Sequence, residues 1–244
     1  MPRLQDGTPD LSAPPLRTAD GKPDLSGIWT KDAPGLLDYF YDLAKDLSPG
    51  EVVMTPWAEA IATQRERRNH IDDPWGYCAA PPGVPRINMM SVFKILHTPT
   101  AMALLYELDT GSVFRQVLTD GRPLPEGVEP AWLGYSVGQW EGDTFVIRTA
   151  GFRDGGWIDT QKARPHSDAL RVTERIRRLN IGRIEMTITI DDPKAFVKPW
   201  TVRVPFKLIA DSELIEGSCD AHEKTMEHRR IDPAPLEPPS PRLP

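Results

Sequence analysis

Leu170-Arg171-Val172-Thr173-Glu174-Arg175-Ile176-Arg177, followed soon by Ile184-Glu185-Met186-Thr187-Ile188-Thr189-Ile190, decides the fold. Apolar residues recur at every second position in both runs. That period belongs to strands with one face on a core and the other toward water. Residues 200–210 repeat it: Trp200, Val202, Val204, Phe206, Leu208 and Ala210 share a face, while Arg203 and Lys207 point away. Working outward, the same period predicts strands at 91–97, 101–107, 112–118, 133–141, 144–150, 169–179, 182–190, 200–210 and 213–219. Turn residues separate most of them, among them Asp109-Thr110-Gly111, Asp120-Gly121, Glu141-Gly142-Asp143, Asn180-Ile181-Gly182 and Asp211-Ser212. Many strands joined by short turns predict a mainly β, antiparallel up-and-down meander. Closure into a lipocalin-like barrel or curved half-barrel would remove exposed edges and leave room for one small ligand.

Two helices precede the strands. Asp32 and Pro34 open a pattern in which Leu36, Phe40, Leu43 and Leu47 fall on one helical face. Thr55 followed by Pro56 supplies a cap and a first-turn proline for a second helix, which runs into Arg65-Glu66-Arg67-Arg68. The chain has 244 residues and 26 prolines, and the prolines concentrate at its ends. The predicted organisation is therefore a proline-rich arm at 1–31, a helical or irregular wrapping segment at 32–90, a barrel at 91–231 and a proline-rich tail at 232–244. The first arm carries an echo, Asp6-Gly7-Thr8-Pro9-Asp10-Leu11-Ser12 and Asp20-Gly21-Lys22-Pro23-Asp24-Leu25-Ser26. Two copies do not make a repeat architecture, and the echo reads as turn-forming sequence. Such arms would also allow a homodimer by draping over a partner.

Composition excludes several functions. Net charge is −6, so no dominant basic field invites nucleic acid. No apolar run approaches the ~20 residues of a membrane span. The chain opens Met-Pro-Arg-Leu-Gln-Asp, which does not read as a signal peptide. A cytoplasmic protein is expected as written, or a periplasmic or secreted one if a leader was trimmed. No glycine-rich phosphate loop is present, and no nucleotide cofactor is expected. His222-Glu223 with His228 misses the H-E-x-x-H spacing, so no metal is expected. The two cysteines, Cys78 and Cys219, are either one disulfide or two thiols.

Candidate chemistry lies where polar groups fall on apolar faces. Glu174 shares its face with Leu170, Val172 and Ile176. A buried carboxylate is costly unless paired or neutralised. It is therefore a general acid or base, or half of an ion pair with an arginine from another strand. His166 lies in Ala163-Arg164-Pro165-His166-Ser167-Asp168, a connection that also holds Asp159. An imidazole oriented by a carboxylate is the usual acid–base unit. Asp159, His166 and Glu174 are thus the expected catalytic group, and Ser167 beside them is expected to bind substrate. His97, on a face with Phe93 and Ile95, and Tyr135 are expected to bind a substrate oxygen. Trp140 and Trp157, with Trp132, would line an aromatic pocket, and Arg86 would hold an anionic group.

Several segments together carry a resemblance. They are Asp20-Gly21-Lys22-Pro23-Asp24-Leu25-Ser26-Gly27-Ile28-Trp29, Cys78 through Gly83-Val84-Pro85-Arg86, Gly134-Tyr135-Ser136-Val137-Gly138 with Trp140-Glu141-Gly142-Asp143-Thr144, Thr173-Glu174-Arg175, and Thr189-Ile190-Asp191-Asp192-Pro193 with Pro199-Trp200. The chain resembles a large family of mostly uncharacterised bacterial proteins, many of them exported. The resemblance implies a lipocalin-like or calycin-type barrel, and no particular reaction. His97 and His222 stand where similar proteins more often carry amides.

The resulting expectation is a cofactor-independent lyase, isomerase or hydrolase acting on a small, mainly apolar or aromatic molecule in the barrel mouth. The alternatives are a non-catalytic carrier of a small hydrophobic ligand and an envelope structural or interaction protein. A buried carboxylate meeting His166 in a cavity would favour the first.

Overall fold

The computed structural model describes residues 1–35, 38–77, 83–90, 92–98, 100–107 and 113–215. Nine strands close into one barrel in sequence order: β1 (Gly27–Lys31), β2 (Phe93–His97), β3 (Ala101–Tyr106), β4 (Val113–Leu118), β5 (Tyr135–Glu141), β6 (Thr144–Ala150), β7 (Arg171–Asn180), β8 (Arg183–Asp191) and β9 (Trp200–Leu208). The fold class expected from the period is the one found, a mainly β barrel of mostly antiparallel strands. The period places side chains correctly: along β7, Val172, Glu174, Ile176 and Arg178 are buried, and Arg171, Arg175 and Arg177 are exposed.

Three details depart from the sequence reading. The strand that closes the barrel against β9 is β1, pairing Trp29 with Leu208 and Lys31 with Phe206. It lies within the stretch expected to be an arm. A strand of five residues that binds two neighbours shows too little period to stand out. Conversely, residues 213–215 form no strand, and the rest of the expected strand 213–219 lies outside the described residues. Second, the meander is broken once. β4 and β5 run parallel and pair only at Val117 with Ser136 and Leu118 with Val137. The proline-bearing connection 119–134 is long enough to carry the chain back along the barrel, as a parallel pair requires. Third, the helix expected from Asp32 is cut to one turn, α1 (Asp38–Tyr41); Leu36 lies outside the described residues.

The second helix forms as expected. It is α2 (Pro56–Arg67), with Thr55 Oγ1 accepting from the Ala58 N–H and proline at its first turn. A 3₁₀ turn (Pro74–Tyr77) and α3 (Arg86–Met90) follow. No described helix is long and apolar enough to cross a membrane.

The two rims of the barrel differ. One, here the helix rim, carries α1–α3 and the connections 151–170 and 192–199. There α3 drives Ile87, Asn88 and Met89, all fully buried, into the barrel end. The interior is filled by Trp29, Phe93, Met102, Phe145, Met186, Ile188 and Phe206, each 0% exposed. The other is the arm rim, where the duplicated segment packs on turns at the strand ends. Arg17 forks onto Asp143 (3.0 and 2.7 Å) and bonds the Gly21 carbonyl, while Lys22 reaches the Gly142 carbonyl. One copy earlier, Arg3 forks onto Asp211 (3.0 and 2.6 Å) and bonds the Gly7 carbonyl. The Gly182 N–H of the β7–β8 turn donates to the Leu11 carbonyl. The echo is thus one turn-clasping unit used twice.

Candidate functional site

Glu174 points into the barrel and is 0% exposed, as its strand face requires. It lines neither of the two clefts at the arm rim. Arg115 Nη2 donates to Glu174 Oε2 (2.5 Å) and to Thr149 Oγ1 (2.6 Å), and its Nε donates to Ser136 Oγ (3.0 Å). Asn88 Nδ2, from α3, donates to Glu174 Oε1 (2.7 Å), and the Tyr106 hydroxyl donates to Asn88 Oδ1 (2.7 Å). Burial raises the Tyr106 phenol far above its ordinary value. Strands β3, β4, β5, β6 and β7 and helix α3 are tied through this one polar knot. Of the two roles the sequence left open for Glu174, the surroundings are those of the ion pair.

On the helix rim, the expected pairing of Asp159 with His166 does not form. Asp159 is fully buried, and its carboxylate takes Arg164 Nη1 together with the Leu43 N–H (3.3 Å) and Arg164 N–H (3.4 Å). Arg164 Nη1 also binds Asp42 (2.7 Å). Burial pushes the Asp159 carboxyl up to about 6, with Arg164 opposing and Asp42 adding to the rise. The nearer cation wins the carboxylate because five donors on a guanidinium outcompete one imidazole N–H.

His166 is 4% exposed. Its Nδ1 lies 3.1 Å from the Ser167 carbonyl, and its ring meets Phe152 edge-on at 5.7 Å. Gly156 lies so close that a Cβ there would fall 1.8 Å from Nε2. Burial holds the imidazole below its ordinary pKa, and nearby Arg65 acts in the same direction. Ser167 is a cap: its N–H (2.6 Å) and Oγ (2.8 Å) donate to Asp192, and Oγ accepts from the Ala169 N–H (3.0 Å).

The other expected binding residues do not share one pocket. Arg86 is 2% exposed, forked onto Asp73, bonded to Thr160 Oγ1 (2.6 Å), and stacked 4.5 Å over Phe40. Its charge is already matched, so it offers no free cation to an anionic group. Trp157 is covered by Arg65 at 4.3 Å and edged by His70 at 5.9 Å. Tyr135 accepts from Arg122 Nη1 (3.2 Å). Trp132 lies 5.5 Å from the Arg153 guanidinium. The aromatic residues are therefore divided between rims rather than gathered.

The arm rim does bring two predicted residues together. His97 and Trp140 face each other with ring centroids 6.1 Å apart, and Phe145 closes the trio at 5.8 Å from His97 and 5.1 Å from Trp140. They line a cleft of about 520 Å³, together with Gly138, Gln139, Thr98, Thr119 and the arm residues Thr18–Asp20. The cleft follows from topology. Since β4 pairs β5 at only two positions, the end of β5 from Gly138 to Glu141 has, among the described residues, no strand beside it on that edge. Burial holds His97 below its ordinary pKa, opposed by the charges of Asp20 and Asp24.

The sequence reading missed Arg115, Asn88, Phe145 and Asp20. The first was findable, because Val113, Arg115 and Val117 share a face just as Glu174 and its neighbours do. Asn88 carries no local signal, since α3 was not anticipated. Cys78, Cys219, His222 and His228 lie outside the described residues. Among the described residues, no group of three or more His, Cys, Asp or Glu is placed to hold a metal ion. Comparison with protein-family models, curated proteins and solved structures returns no match to this chain.

Proposed function

We propose that this barrel is a non-catalytic binder of a small, mainly apolar or aromatic molecule, taken at the arm-rim cleft. The observation that carries the proposal is the cleft itself: Trp140, Phe145 and His97 edge an opening of about 520 Å³, larger than the second opening of about 240 Å³ beside Arg178 and Leu208. That volume falls in the range of small-ligand sites, and an apolar wall with a few polar groups is their usual lining. Trp140 offers a stacking surface. His97, kept neutral by burial, has a ring nitrogen to bond a ligand oxygen, and Gln139 and Thr98 add donors and acceptors.

The acid–base reading draws less support from the surroundings. Glu174 and Asp159 are each held by an arginine, and the Asp159–His166 unit on which proton transfer was to depend is not made. Titration calorimetry with the neutral indole alcohol tryptophol tests the proposal. One saturable site is expected. Trp140→Ala should weaken it roughly fivefold, the scale of one aromatic contact, and His97→Ala should weaken it as well. His166→Gln should leave it unchanged. Binding that ignores Trp140 and is lost in His166→Gln would move the site to the helix rim and overturn the reading.

A further inference from the structure

The charges around the cleft say which small molecules it prefers, provided the cleft is the binding site proposed above. Asp20 is the one residue with a formal charge among the described residues lining it. No lysine or arginine is among them. The basic groups closest in sequence to the lining are engaged elsewhere: Arg17 forks onto Asp143, Arg122 is bonded to Asp120, and Lys22 donates to the Gly142 carbonyl. Asp20 is exposed, and one of its oxygens accepts from Thr18 Oγ1, which fixes the carboxylate at the cleft wall. That bond holds the Asp20 carboxyl below its ordinary value, so the charge is present at neutral pH.

The same cleft is lined by the Trp140 ring, whose face carries partial negative charge, with the buried Phe145 packed edge-on behind it. A carboxylate and an aromatic face lining one cleft attract the same kind of group, a cation. We propose that the cleft selects an aryl-alkyl ammonium ligand, with its ring stacked on Trp140 and its ammonium turned toward Asp20. An anionic analogue would meet Asp20 with no cation to offset the repulsion.

Three ligands that share the indole ring test this on the full chain by titration calorimetry at low salt: tryptamine, tryptophol and indole-acetate. Tryptamine should bind roughly five- to tenfold tighter than tryptophol, the scale of one exposed charge contact with a cation–π component. Indole-acetate should bind weakest. Asp20→Asn preserves the acceptor for Thr18. It should bring tryptamine down to the tryptophol level while leaving tryptophol unchanged. Trp140→Ala should weaken all three. Equal binding of tryptamine and tryptophol, or an Asp20→Asn variant that keeps the preference, would overturn charge selection and leave the cleft standing. No binding by any of the three would overturn both the cleft reading and this one.

Discussion

Removing Arg115 should be among the most damaging single changes on the barrel wall, and removing Glu174 with it should repair much of the damage. Arg115 is 2% exposed and Glu174 0%. In Arg115→Met the carboxylate keeps, among the described residues, the Asn88 amide as its hydrogen-bond partner, at 2.7 Å. Ser136 and Thr149 lose a donor but still lie 3.0 Å from each other, so they can satisfy one another. The penalty is therefore dominated by one stranded buried charge, about 3–5 kcal/mol. For a chain of this size that is a melting-temperature drop of roughly 6–20 °C. The double variant Arg115→Met, Glu174→Leu removes both charges and keeps apolar volume on the wall. It leaves the Asn88 amide without its acceptor, a cost of about 1–3 kcal/mol. A double-mutant cycle by urea unfolding should return a coupling of at least ~2 kcal/mol, with the double variant more stable than Arg115→Met alone. If Arg115→Met lies within ~1 kcal/mol of the parent, or the two changes simply add, the pair is not the tie described above.

Other consequences are smaller. Gly156→Ala puts a methyl onto His166 Nε2 and should cost about 1–3 kcal/mol, with Gly156→Ala, His166→Ala recovering part of it in the same urea assay. His166 is held below its unfolded pKa, so the folded state binds fewer protons than the unfolded chain. Stability should therefore fall as pH drops below about 6.5, and His166→Gln should flatten that slope in melting curves from pH ~7.5 to ~5.5. Arg17→Ala breaks an exposed fork to Asp143 and should leave the melting temperature nearly unchanged. Limited proteolysis should nonetheless cut the arm near Thr18 faster than in the parent; an unchanged cutting rate would argue against the clasp.

The sequence by itself determined where strands β2–β9 lie and the side their residues face. Period two is a local property of an extended backbone, so Val172, Glu174, Ile176, Met186 and Val204 could be assigned inward from their neighbours alone. It also determined that Glu174 needed an answer, because a carboxylate on an apolar face demands a partner wherever that partner lies. Thr55 and Pro56 set a helix start for the same local reason.

Only the tertiary structure decided which partner. Arg115 stands three strands away from Glu174 in barrel order, Asn88 arrives on a helix the sequence did not announce, and Asp159 goes to Arg164 instead of His166. Closure was also a tertiary decision. β1 joins the barrel because both of its edges find strands, and the parallel step from β4 to β5 opens the arm-rim cleft. Pairing energy depends on which groups meet in space, and residues far apart in the chain leave no trace of their meeting in either one's neighbours. That is why His97 and Trp140, picked out separately for their residue types, come to line one cleft only once the barrel brings their rings within 6.1 Å of each other.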